Sequence, residues 1–208
     1  MASVDLAEII SLVPNRQLTH GEALVVAEIQ AMKLLRLGEV LKPPVPVVEL
    51  ARRAGIVVEF RPRVDEVGTL VSCHGRWHIR HSHLDEPSIY ATVAHQLKII
   101  LDRPFGDHLY PHQDVMAPGL RRHHVAEYFA TSLTMPHEWI EQLWRQGKRD
   151  ITALARLFVT SPSAMAFRLR ALRLIGPDAE PVPAAPATAP ASTTSRSGCR
   201  WSRPSTWR

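Results

Sequence analysis

Apolar residues recur along this chain first with a helical period, then in short β-branched runs, then helically again as far as Gly176. "EALVVAEIQAMKLLRLG", residues 22–38, predicts a helix that stops at Gly38. A proline-rich connection follows, then a short helix from Val47 to Ala54 that ends at Gly55. "IVVEF" (56–60), "GTLVSC" (68–73) and "RWHIRH" (76–81) read as strands, with "HG" at 74–75 short enough to turn between the last two. From Pro87 the period is helical again: Ile89, Val93, Leu97 and Ile100 share one face, and Ser88 is placed to cap it.

Residues 102–119 predict a loop rich in His and Pro, and a second long helix runs from about Leu120 to Met135, closed by Pro136. "HEWIEQLWRQG" adds a short helix, and "DITALARLFVTSPSAMAFRLRALRLIG" reads as two helices joined at Thr160 to Pro162. Beyond Pro177 the chain is Pro, Ala, Ser and Thr, too poor in apolar groups to offset its ordering entropy, and is expected to be disordered. The order of elements predicts an α+β fold, a small three-stranded sheet against helices followed by a helix-turn-helix-like hairpin. The expected divisions are an N-terminal segment (1–21), a main domain (22–147), the hairpin (148–176) and the tail (177–208).

Composition narrows the class. In 208 residues, 45% of them apolar, the chain can bury an ordinary core. A net charge of +5, spread along the chain, permits contact with nucleic acid without arguing for it. Cys73 and Cys199 are too far apart and too few for a disulfide framework or a cysteine zinc site. No apolar run approaches the roughly 18 residues of a membrane span, and "MASVDLAEII" lacks the basic start of a secretory signal. A reduced, cytoplasmic protein with no membrane partner is the expectation. The basic end "SRSGCRWSRPSTWR" carries two tryptophans and reads as a flexible tail, or as a weak contact for nucleic acid or membrane.

Two stretches carry the chemistry. "ATVAHQLKIILD" (91–102) places His95 in an apolar helix, where zinc peptidases carry H-E-x-x-H. "HHVAEYFATSLTMP" (123–136) sets Ala126, Phe129, Ala130, Leu133, Met135 and Pro136 in one register on the second long helix. Together with "VPVVELARRAGIVVEF" and "GRWHIRHSHLDEPSIYATVAHQLKIILD", they give residues 22–175 a pattern that resembles the IrrE/ImmA family of bacterial zinc metallopeptidases, which act on transcriptional repressors. The resemblance implies a gluzincin-like core, zinc as cofactor, and a repressor or toxin-antitoxin component as protein partner.

It also implies where the chemistry should lie. The family's first histidine falls on His95, its general base on Gln96, its second histidine on Ile99 and its third ligand on His123. The family asparagine falls on Glu127. In the family two histidines one helical turn apart reach one zinc, and the glutamate beside the first activates bound water. Glutamine cannot take up that proton and isoleucine cannot bind metal, so "HQLKI" (His95-Gln96-Leu97-Lys98-Ile99) predicts loss of catalysis. Asp102 cannot substitute: it lies about 10.5 Å further along the helix, whereas ligand atoms on one zinc are about 3–3.5 Å apart. A substitute set of His95, His123 and Glu127 stays open, as does the plain reading of partly buried histidines in a site without metal.

The hairpin leaves two uses open as well. It has Ala155 inside its first helix, Ser161 as N-cap and Met165 as the buried residue of its second. Arg168, Arg170 and Arg173 could reach phosphates; alternatively Leu154, Leu157, Phe158, Met165, Leu169 and Leu172 only seal the domain. The family usually places glycine where Val159 closes the first helix, because that residue takes a left-handed conformation. Three functions follow: a degenerate, partner-binding regulator, a zinc endopeptidase with unusual ligands, and a DNA-binding regulator using the hairpin.

Overall fold

The first long helix begins two residues earlier than its apolar period indicates, because Thr19 and Glu22 form a reciprocal capping box. The structure, a computed structural model, describes residues 3–62, 69–73, 76–109 and 118–176. A short helix α1 (Leu6–Ile10), capped by Asp5, precedes α2 (His20–Leu37). Helix α2 ends at Gly38, where an added Cβ would collide with Leu50 of the short helix α3 (Val47–Arg53). That close approach requires glycine.

Strands β1 (Val57–Phe60), β2 (Thr69–Cys73) and β3 (Arg76–His81) form one sheet in the order β1-β3-β2. β1 runs parallel to β3 with Val57 opposite His78, and β2 runs antiparallel to it with Leu70 opposite Ile79. The fold is mostly helical with this small sheet, of α+β type. The expected turn at 74–75 and the tail after Pro177 lie outside the described residues.

Helix α4 (Glu86–Asp102) starts one residue before the expected point. Its cap is Asp85, whose carboxylate accepts the Ser88 amide at 2.9 Å, so Ser88 is the capped residue and not the cap. The expected loop after it is partly helical: a 3-10 turn at Arg103–Phe105 leads into α5 (Gly106–Leu109). Helix α6 (Pro118–Thr134) then packs between α2 and α4, burying Val125, Ala126, Phe129, Ala130 and Leu133. The alanines let neighbouring backbones approach; Phe129, fully buried, contributes about 1.5–3 kcal/mol of burial energy.

The chain finishes with α7 (His137–Arg145), α8 (Ile151–Phe158) and α9 (Pro162–Ala171). Met135, Ile140, Leu154, Ala155, Phe158, Met165 and Leu169 form a second apolar cluster, and Trp139 packs against both this cluster and the main core. Val159, between α8 and α9, is left-handed at φ 52°, ψ 55°, a conformation costly for a β-branched residue. Ser161 caps α9 by accepting the Ala164 amide at 3.1 Å.

Candidate functional site

The apolar stripe of α4 (Val93, Leu97, Ile100) faces the core, which turns His95 to the helix's flank against α6. There His95 Nε2 lies 3.1 Å from His123 Nδ1, the ring centroids 5.0 Å apart. The far nitrogen of the same ring, His123 Nε2, lies 3.0 Å from Glu127 Oε1, one helical turn along α6. The three side chains of the substitute set therefore do meet.

They meet as a line and not as a cage. Glu127 and His95 occupy opposite nitrogens of one imidazole, so their donor atoms do not converge on a common point as tetrahedral ligands must. Among the described residues no group of three or more His, Cys, Asp or Glu is arranged to hold a metal ion. A zinc bound by this set would require the His123 ring to turn. Ile99, at the second-histidine position, offers no donor, and Gln96 is almost fully buried in the cleft wall.

The line has chemical consequences of its own. With Glu127 ionised it accepts from His123 Nε2–H, leaving Nδ1 of a neutral ring to accept from His95 Nε2–H. That tautomer assignment follows from the network. Burial pushes the His95 imidazole below its ordinary pKa, repulsion between His95 and His123 when both carry protons pushes in the same direction, and Glu127 opposes both.

Beside this line runs a cleft of about 540 Å³, lined on α4 by Ala91, Thr92, His95 and Gln96 and on α6 by His123, Glu127, Ala130 and Thr131. Phe167, two-thirds exposed on α9, completes its rim. The hairpin thus contributes directly to the cleft's wall, a role that the sequence did not reveal.

Behind His95 lies a second feature that sequence reasoning missed. Lys98 is fully buried, its ammonium 2.5 Å from Asp102 Oδ1 and 2.7 Å from Gln30 Oε1. Burial lowers the Lys98 pKa, and the Asp102 charge opposes that. The (i, i+4) spacing of Lys98 and Asp102 was visible in the sequence, but Gln30, on α2, was not locatable. A further imidazole pair, His20 and His124, stacks on the other side of α6 with nitrogens 2.8 Å apart.

The three arginines expected to reach phosphates are placed unequally. Arg168 is buried at 3% exposure, donating from Nε to the Met135 carbonyl at 3.2 Å, so its guanidinium is not offered to solvent. This corrects the expectation for that residue: the helix face that carries Arg168 packs inward with Met165 and Leu169. Arg170 is half-buried and Arg173 exposed. Arg168 also approaches Glu28 at 4.0 Å; the same carboxylate accepts from Tyr128 at 3.1 Å and meets His137 Nδ1 at 3.2 Å. Glu28 thus joins α2, α6, α7 and α9.

Among the described residues no helix is long and apolar enough to cross a membrane. A family model described as the IrrE N-terminal-like domain matches residues 51–170. Among solved structures, the chain is similar to a Mycobacterium tuberculosis transcriptional regulator at a TM-score of 0.57 and 19% identity, over 69% of this chain and 46% of the other. The chain thus spans less than half the length of that neighbour, and the likeness is one of fold. A search of curated proteins finds no match.

Proposed function

The chain belongs to the IrrE N-terminal-like family, and on that premise we propose that it is a regulatory protein-binding member that does not hydrolyse its partner. The observation that carries this reading is the line Glu127–His123–His95, flanked by Gln96 and Ile99. A zincin site needs converging donors and a carboxylate beside the first histidine. Here one carboxylate is present and it is bound to the back of an imidazole. Removal of a general base alone lowers rates by about 10²–10⁴, and weak metal binding lowers them further.

What the geometry supports instead is capture. The pairing of α4 with α6 keeps an open cleft of about 540 Å³, its apolar walls supplied by Ala91, Ala130 and Phe167. A partner side chain seated there would meet Thr92, Thr131 and Gln96 as polar groups that fix orientation without reacting. The regulatory character of the family, and a structural neighbour that is a transcriptional regulator, support a transcriptional repressor or an antitoxin as the protein held. On this reading, capture of the partner requires no zinc.

The test is metal analysis of the purified chain beside cleavage and binding assays on a repressor or antitoxin encoded next to it. The expected result is binding of the intact partner, zinc well below one per chain, and no fragment with or without chelator. A Gln96→Glu/Ile99→His variant should gain zinc, with His123 turning to serve as the third ligand. Stoichiometric zinc and chelator-sensitive cleavage in the unaltered chain would overturn the proposal and establish His95, His123 and Glu127 as working ligands.

A further inference from the structure

At the opposite edge of the chemistry, a recess of about 450 Å³ is lined by Arg52, Gly55, Ile56, Val57, Val58 and Arg76, and shares no residue with the His95 cleft. Arg52 stands in the last turn of α3 and Arg76 opens β3. The parallel register, Val57 opposite His78, brings Arg76 level with Gly55. Two arginines from segments 24 residues apart therefore line one small space, with no acid among its described lining residues.

Both arginines are exposed, and among the described residues neither guanidinium has an ion pair or a side-chain hydrogen bond. Their neighbours differ: Arg53 donates to the Gly38 carbonyl, and Arg61 and Arg80 both pair with Glu59. The floor is open at Gly55 (φ 76°), where an added Cβ would meet nothing within 4 Å. The remaining wall is strand β1, which among the described residues pairs only with β3 and leaves its outer edge without a strand partner.

We propose that this recess is a docking site for an extended acidic segment of a protein partner, pairing its main chain with the outer edge of β1 and placing a carboxylate between Arg52 and Arg76. An edge strand offers N–H and C=O groups in register for such an added strand. Arginine's planar fork matches a carboxylate in two parallel hydrogen bonds, and two like charges held together lower their mutual repulsion when an anion enters. Nucleic acid fits less well. It gains affinity from many phosphate contacts, about 6–10 in a strong complex, and here two arginines flank a strand edge that offers bases and phosphates little.

The experiment selects random 12-residue peptides from a displayed library against the full chain, then measures the enriched sequences by fluorescence anisotropy. Enrichment of alternating acidic and β-branched residues is expected. Arg52→Gln or Arg76→Gln should each weaken the best peptide about ten-fold, with Lys at either position recovering part of the loss. Glu→Gln in the peptide should weaken it similarly, and N-methylation of alternate peptide amides should also weaken it. Circular dichroism checks that each variant is folded. Absence of acidic enrichment, binders indifferent to both arginine variants, or unchanged binding of N-methylated peptides would overturn the proposal. Displacement of the peptide by a single-stranded oligonucleotide at equal concentration would assign the arginines to nucleic acid instead. Because the His95 cleft lends this site no residue, its failure leaves the capture reading standing, and the reverse also holds.

Discussion

Replacing Asp102 by alanine removes the carboxylate bonded to the buried Lys98 ammonium and should cost several kcal/mol. A charge left alone in such a place costs about 3–5 kcal/mol. The ceiling has a separate basis: Lys98 can always shed its proton, and neutralising an ordinary lysine of pKa 10.5 at pH 7 costs about 5 kcal/mol. Gln30 Oε1 remains as one acceptor at 2.7 Å, which keeps the loss below that ceiling. For a chain of this size, about 3–5 kcal/mol lowers the melting temperature by roughly 6–20 °C. Lys98→Met alone removes the ammonium that neutralises the buried Asp102 and should also destabilise the fold. The double variant removes both charges and should be more stable than either single one, because an apolar replacement of a buried pair is often neutral. Thermal and urea unfolding of the four proteins give the coupling energy directly. Strictly additive effects, or an Asp102→Ala cost under about 1 kcal/mol, would refute the reasoning and mean that Lys98 reaches water.

Val159→Gly should stabilise the hairpin by about 0.5–1 kcal/mol, the relief of a left-handed β-branched residue less the added chain entropy of glycine; Val159→Ala should bring no such gain, and melting curves distinguish them. Glu22, hydrogen-bonded to Arg16 and to Thr19, is held at a pKa of about 2 against an ordinary 4.5. Its folded pKa is depressed, so its contribution is complete above pH 4.5 and lost as pH falls through about 2; Glu22→Gln should flatten the acid limb of stability measured by circular dichroism over that window. Long-range nitrogen–proton NMR should find His95 protonated on Nε2 at pH 7 and titrating below 6.5, with Glu127→Gln weakening the preference; a protonated Nδ1 at His95 would break the assigned line.

The helices that frame the cleft were legible because apolar spacing is a local property. The α4 face and the α6 register follow directly from residues three and four apart, and the residues that meet across them, His95 and His123, were named from the resemblance. Local chemistry misled at one cap: Ser88 and Asp85 both suit the position, and it is Asp85 whose backbone is extended and whose side chain accepts the Ser88 amide. The five residues of α1 are too few to show a period. Partners far apart in sequence could not be read. Gln30 meets Lys98 across 68 residues and His20 meets His124 across 104, and a polar side chain on an apolar helix carries no mark of which distant group will satisfy it. Arg168 shows the same limit: the three arginines in and just after α9 look equally solvated until packing buries the first of them.

Glu28 has a consequence for how the molecule comes apart. Its carboxylate meets Tyr128, His137 and Arg168, so groups from α2, α6, α7 and α9 depend on one side chain. Releasing the terminal hairpin would break the Arg168 bond to the Met135 carbonyl, take Arg168 away from Glu28 and bare Phe158, Met165 and Leu169 to water. Glu28 therefore couples an opening of the hairpin to the helical layer that carries the cleft. Amide protons of α9 and α6 should consequently exchange with deuterium at matched rates, as members of one cooperative unit. A protease in the cell would then find either a whole molecule or an unfolded one, and no stage at which the cleft stands intact with its Phe167 rim already detached.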